Sequence, residues 1–199
     1  MKSIALTFDD GPTPSTRDLL RVLAEYDVKA TFFECGAQVR RHPDISRAVA
    51  EAGHEIGNHS DSHPLLAFRA RAFIRDELAR AQQSIASAAG EEPKWFRAPY
   101  GVRWFGLRQA QRELGLTGVM WTVIGRDWTL DDEGVARRLL ARAENGAIFC
   151  LHDGRGLAPD PDISVTLKAV RRIVPVLLGQ GFRFATITEL LCPQNSSTA

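Results

Sequence analysis

The chain has 199 residues, with 25 Lys and Arg against 24 Asp and Glu, a formal net charge of +1, and 44% hydrophobic and 25% charged residues. That composition belongs to an ordinary globule and excludes a disordered or collagen-like chain, and the length suits one domain. The balanced charge argues against a protein that grips nucleic acid by bulk electrostatics, and no apolar run approaches the roughly 20 residues of a membrane span.

The apolar segment Ile4-Ala5-Leu6 stops at Thr7 and two aspartates, short of the roughly 7–15 apolar residues of a signal peptide. The expectation is a chain that stays inside the cell, or a mature domain without its leader. The three cysteines, Cys35, Cys150 and Cys192, show no CxxC spacing. They read as small buried thiols rather than a disulfide framework or a Cys-rich zinc site.

Residues 4–8 read as a first strand. Thr13-Pro14 then reads as an N-cap followed by proline at the first helical position, with Leu19, Leu20, Val22 and Leu23 on the apolar side. A strand at 30–33 precedes a helix that opens at Pro43, carries Ile45, Ala48, Val49 and Ala52, and stops at Gly53. A strand at 55–58 leads to the longest helical pattern, 67–89, which ends at Gly90. The remaining strands are expected at 95–97, 119–123, 147–151 and 183–186, and the remaining helices at 104–114, 134–143, 164–178 and 188–191. Seven strand-then-helix units argue for parallel strands joined by crossover helices. A complete eight-unit barrel typically takes about 250 residues. An open doubly wound sheet would normally place a glycine-rich phosphate loop where this chain has Asp9-Asp10-Gly11-Pro12. The expected fold is therefore α/β, a distorted, incomplete (β/α) barrel with about seven parallel strands.

Five of the expected strands deliver ionisable side chains at their C-terminal ends: Asp9-Asp10, His59, Arg97, Asp127 and His152-Asp153. That is the face on which such a barrel builds its active site. His59 and His63, four apart, are expected on one face of a helical turn, where two imidazoles can bind one metal ion. A catalytic metal needs a third ligand, and Asp9 or Asp10 can supply it while the other faces the attacking water as a base. Arg97 is either a surface guanidinium or a clamp that keeps a carboxylate ionised. His152 emerges at the rim of the core, where Asp127 can hold one ring nitrogen and make it a general acid. Cys150 and His152, two apart on a strand, would face the same side, which is the basis of a competing reading as a cysteine hydrolase.

Thr7-Phe8-Asp9-Asp10-Gly11-Pro12, His59-Ser60-Asp61-Ser62-His63, Arg97-Ala98-Pro99-Tyr100-Gly101, Asp127-Trp128 and His152-Asp153 occur in that order. They resemble the five motifs of the polysaccharide deacetylases, the NodB-homology domain of carbohydrate esterase family 4, and the resemblance runs from residue 3 to 191. It implies a metal-dependent deacetylase in which Asp10, His59 and His63 hold one divalent ion, zinc in most members, with cobalt or nickel suited to the same donors. By the same resemblance Asp9 is the catalytic base, Arg97 its holder, His152 the acid and Asp127 its tuning partner. The Tyr100 backbone N–H would stabilise the oxyanion, and Trp128, Cys150 and Leu151 would border the acetyl group. Cys150 stands where leucine is common, Asp61 where an aromatic is frequent, and Ile124 where an acid is often found. Trp95, Trp104 and Phe105 either stack on sugar rings or pack in the core, while His42 and His54 read as structural. The implied partner is an acetylated glycan carrying N-acetylglucosamine, chitin oligomers or peptidoglycan. An acetylxylan esterase and a non-catalytic carbohydrate-binding relative are the alternatives. Residues 1–192 would form the catalytic domain and 193–199 a polar tail, in a monomer without a membrane span. The resemblance implies a secreted or cell-surface protein.

Overall fold

The computed structural model describes residues 2–192, and the tail expected at 193–199 lies outside the described residues. Eight strands follow one another as β1 (Lys2–Asp9), β2 (Thr31–Glu34), β3 (Glu55–Asn58), β4 (Trp95–Phe96), β5 (Thr117–Gly118), β6 (Val123–Ile124), β7 (Ala147–His152) and β8 (Phe182–Ala185). Seven lie on one parallel path, β5-β4-β3-β2-β1-β7-β6, and β8 pairs with the first half of β1. Helices α1 (Thr16–Glu25), α2 (Gly36–Arg41), α3 (Pro43–Glu51), α4 (Arg71–Ala89), α5 (Leu107–Glu113), α6 (Asp132–Leu140), α7 (Ser164–Gly179) and α8 (Ile187–Leu191) complete the chain. The end strands β5 and β6 pair with β4 and β7 rather than with each other, so the sheet is an incomplete α/β barrel.

The alternation of β1 explains both sides of this sheet. Ile4, Leu6 and Phe8 join the outer core with Leu19, Leu23, Phe149, Leu151, Val170 and Ile173. Ala5 turns inward with Phe33, Trp95, Ile148 and Ile187, so that α8 plugs the bottom of the barrel. Each large apolar side chain buried this way contributes about 1.5–3 kcal/mol. Register then stacks the inward residues of β1 and β7 in layers: Ala5 beside Ile148, Thr7 beside Cys150, Asp9 beside His152. The interior changes from apolar to ionisable as it approaches the C-terminal rim.

Several expected boundaries move for physical reasons. The first helix starts at Thr16, not Pro14, because the Thr13 hydroxyl donates to the Asp153 carbonyl (2.8 Å) instead of capping. α4 starts at Arg71 rather than 67, since Phe68 holds a left-handed φ of 61° that a helix does not admit. The strand expected at 119–123 is largely absent: residues 119–122 connect two short strands, β5 and β6, at opposite ends of the sheet path. A separate short helix, α2, was not anticipated. Cys35 and Cys150 are buried as expected, but Cys192 is exposed. No described helix is long and apolar enough to cross a membrane.

Candidate active site

β1 ends in Asp9, and the next residue, Asp10, turns back at φ 78°. This left-handed step sends two adjacent carboxylates in different directions. Asp9 points into the barrel, where its Oδ1 accepts from Arg97 Nη1 at 2.7 Å and its Oδ2 lies 3.4 Å from the Cys150 thiol, which donates to it. Arg97 is fully buried, so the surface reading of this guanidinium is wrong. It also donates to the Thr7 hydroxyl (2.6 Å) and lies over the Phe33 ring, 4.1 Å from its centroid. A buried guanidinium needs such partners, and an Arg–carboxylate hydrogen bond fixes the orientation of both groups.

Asp10 Oδ1 faces His59 Nε2 at 3.3 Å and His63 Nε2 at 3.0 Å. The expected helical turn through these histidines is absent. Residues 59–64 form a loop in which Ser60 and His63 take left-handed φ values of 65° and 53°, and this brings the rings to a centroid separation of 5.1 Å. His59 donates its Nδ1–H to the Arg97 carbonyl (2.8 Å), which leaves the Nε2 lone pair turned toward Asp10. Asp10 Oδ2 accepts from the Gly156 amide at 2.8 Å, while its Oδ1 is buried without a hydrogen-bond donor. One orphaned carboxylate oxygen and two imidazole nitrogens, all within 4.8 Å of one another, fit a single divalent cation with room for a further ligand. Burial opposes the charge on Asp10, but its contacts with both histidines outweigh that and hold the carboxyl well below the usual range.

On the other side of the cavity His152 donates its Nδ1–H to Asp127 Oδ1 at 2.8 Å, and its backbone N–H to Oδ2 at 2.9 Å. Thr166 donates to the same carboxylate (2.6 Å), and Arg155 donates to the Asp127 carbonyl. Burial disfavours the protonated ring of His152. Asp127 overcomes it through its hydrogen bond and charge, with Asp9 and Asp10 adding to the same sign, and the His152 pKa rises above its ordinary value. Burial and the Asp9 charge push the Cys150 thiol well above its usual pKa. A thiol held neutral in this way is no nucleophile, which removes the cysteine-hydrolase reading.

Asp9, Asp10, His59, His63, His152 and Arg155 share one cavity of about 590 Å³, walled further by Ala98, Tyr100, Trp121, Ile124, Trp128 and Gly156. Tyr100 holds a left-handed φ of 58° at the rim, its ring against His63, and Trp128 stands edge-on to His152 at 5.0 Å. Five residues expected around the substrate lie off its wall, among them Cys150, which is fully buried behind Asp9. Leu151 alternates to the far side of β7 and packs in the outer core, so it does not border this cavity. Trp95 is buried in the barrel floor and donates its indole N–H to Thr188. Trp104 and Phe105 form an aromatic cluster with Phe68, of which Phe68 and Phe105 are more than four-fifths exposed. Of the two histidines read as structural, His54 accepts the Ala30 amide and, mainly through burial, has its pKa lowered to about 4. Sequence reasoning missed Trp121, Arg155 and Thr166, which sit in segments without a motif.

A cup for a divalent ion, set between a clamped carboxylate and a histidine held by an aspartate, is the arrangement of a hydrolase that works on a carbonyl. Residues 1–119 match the family model described as polysaccharide deacetylase, and the chain belongs to that family, the NodB-homology domain of carbohydrate esterase family 4. It is similar to the chitooligosaccharide deacetylase of Bradyrhizobium sp. (strain ANU 289), 35% identical over 198 residues, covering 95% of this chain and 90% of the relative. It is also 35% identical over 191 residues to the peptidoglycan-N-acetylglucosamine deacetylase PgdA of Listeria monocytogenes, covering 95% of this chain but 39% of that longer protein. Among solved structures, a family 4 carbohydrate esterase from Streptomyces lividans in complex with acetate superposes with a TM-score of 0.84 at 36% identity, covering 92% of each chain.

Proposed function

We propose that this chain removes acetyl groups from N-acetylglucosamine-containing glycans, chitin oligomers or peptidoglycan, and releases acetate. The observation that carries the reading is the register of β1 with β7, which sets Asp9 directly beside His152 on the same cavity as Asp10, His59 and His63. The relatives named above act on those two glycans by their names, and the residues gathered here would supply a base, an acid and the donors for a divalent ion.

An amide resists hydrolysis because its carbonyl is a poor electrophile and its amine a poor leaving group. Asp10, His59 and His63 would hold a divalent ion, which would supply Lewis acidity at that point; zinc is proposed on the nitrogen and oxygen donors, with cobalt or nickel also suited to them. Asp9, held in place by Arg97, takes the proton of the attacking water. The Tyr100 backbone N–H is proposed as a donor to the oxyanion, a contribution of about 2.7–4 kcal/mol where such a donor is well placed. His152 then delivers the Nε2 proton to the leaving nitrogen, since an amide anion does not depart near neutral pH. Trp128 and Trp121 wall the acetyl end of the cavity, and Cys150 lies beneath Asp9.

The test is acetate release from chitooligosaccharides, peptidoglycan and acetylxylan, with and without chelator and with zinc, cobalt or nickel restored. Release from the first two that stops in chelator supports the reading. Release only from acetylxylan, or from no glycan although binding persists, overturns it.

A further inference from the structure

The loop that carries His59 and His63 contains two non-glycine residues in left-handed conformations, Ser60 and His63. Such residues persist only where the surroundings over-determine them. One side of the loop is held by the start of α2, whose Gly36 and Ala37 amides donate to the Ser60 and Asp61 carbonyls at 3.0 and 2.9 Å. Asn58 accepts the Ser60 amide at 2.9 Å.

On the other side the loop's backbone amides are held by a buried carboxylate. Glu77 lies in α4 on the same face as Ile74, Leu78 and Ala81, and is 1% exposed. An acid at a core-facing helical position is costly unless its oxygens are satisfied. Glu77 Oε2 accepts the Asp61 amide (3.2 Å) and the Ser62 amide (2.8 Å), and Oε1 accepts the Ser62 hydroxyl (3.0 Å) and pairs with Arg80. Arg80 and Arg40 both bind the Asp61 carboxylate, at 3.0 and 2.6 Å. The hydrogen bonds of this buried acid therefore converge on the residues between the two histidines.

We propose that Glu77 is a positioning residue for the metal: by holding the amides of Asp61 and Ser62 it sets where the two imidazoles stand relative to Asp10, and so sets the affinity for the ion. The inference rests on the reading above that Asp10, His59 and His63 hold a divalent cation. It differs from a role in anchoring α4 to the sheet, which would change the stability of the apo protein and leave the affinity of the folded protein alone.

The experiment is a zinc titration of the full-length apo protein against a chromophoric chelator, at a temperature well below the unfolding midpoint of every variant. Wild type, Glu77→Ala, Glu77→Gln, Ser62→Ala and His63→Ala are compared, and apo thermal unfolding is recorded in parallel. Changes to groups that orient metal ligands typically weaken binding about 10–100-fold. Glu77→Ala is expected in that range, with Glu77→Gln partly restored because its amide oxygen still accepts a loop amide. Ser62→Ala, which removes one contact, is expected to weaken binding by a smaller factor. Zinc affinity of Glu77→Ala within about twofold of wild type, with only its unfolding midpoint lowered, overturns the inference. Should Glu77→Ala fail to fold, wild-type affinity in both Glu77→Gln and Ser62→Ala overturns it equally. If wild type and His63→Ala bind zinc alike, the metal-site reading itself falls and takes this inference with it.

Discussion

The pairing of His152 with Asp127 converts a general property of imidazole into a directed one. Asp127 holds the Nδ1 proton at 2.8 Å, so the proton that can leave is on Nε2, facing the cavity. Loss of this group should matter in proportion to how badly the leaving group needs a proton. His152→Ala should lower N-deacetylation of a chitooligosaccharide by about 10²–10⁴-fold, the usual range for a general acid. Hydrolysis of an activated aryl acetate should fall far less, because a phenolate departs unaided. Equal losses on the two substrates would refute the assignment. The pH profile follows from the same pair. An acid must be protonated to act, so the rate declines as pH rises through the His152 pKa, which Asp127 lifts above the ordinary imidazole value. Asp127→Asn removes the negative charge, lowers that pKa, and should move the alkaline limb of kcat to lower pH. An unmoved limb would mean that another group titrates there.

At the scale of elements, the site is built on strand ends and on the loops that follow them, which close helix contacts hold in place. The strands and the ionisable residues at their ends were legible in the sequence because short apolar runs, buried here on both faces, and C-terminal placement are local signals. The conformation of 59–63 was not, since a spacing of four is shared by a helical turn and by a loop with two left-handed residues. Nor was the reach of Glu77, whose contacts lie 15 and 16 residues back along the chain. The same holds for Gly36, which opens α2 against α4. A Cβ there would stand 2.7 Å from the Ala81 backbone Cα and 2.5 Å from Asp61 Oδ1. Neither neighbour can retreat easily, one being helix backbone and the other held by two arginines. Gly36→Ala should therefore destabilise by about 1–3 kcal/mol, a drop in Tm of several degrees for a chain of this size. Gly179→Ala, at the end of α7 with nothing within 4 Å of the added Cβ, serves as the counterpart and should be neutral or slightly stabilising. Thermal unfolding of the two apo variants decides it, and an unchanged midpoint for Gly36→Ala would show that the α2–α4 contact yields.

Over the whole molecule, a net charge of +1 conceals an uneven distribution. Asp9, Asp10, Glu34, Asp127 and Asp153 are all buried near one end of the barrel, with Arg97 the only fully buried cation among the described residues. The sequence showed the acids but not their depth, because Glu34 and Asp153 follow strands much as surface carboxylates do. Glu34 has one oxygen on the Ser46 hydroxyl and the other unpaired, and Asp153 has one on Thr16 and the other unpaired. Burial is the chief reason that their pKa values rise, to about 8 for Glu34 and about 7 for Asp153, the nearby charges adding to it and the hydroxyl contacts opposing it. In the unfolded chain both would ionise near pH 4. Between those values these two groups bind more protons in the folded state than in the unfolded one, so their contribution to stability falls as pH rises from about 4 to about 8. Glu34→Gln retains the shape and an acceptor for Ser46 but cannot ionise. Near pH 5, where Glu34 is protonated in the fold, the variant should match wild type or fall slightly below it. At pH 9 it should unfold at a higher temperature than wild type, because it no longer carries a buried charge. The measurement is apo thermal unfolding of both proteins in chelator at pH 5, 7 and 9. A difference in midpoint that stays constant across the three would show that Glu34 is already ionised in the native state and that its charge is balanced within the barrel.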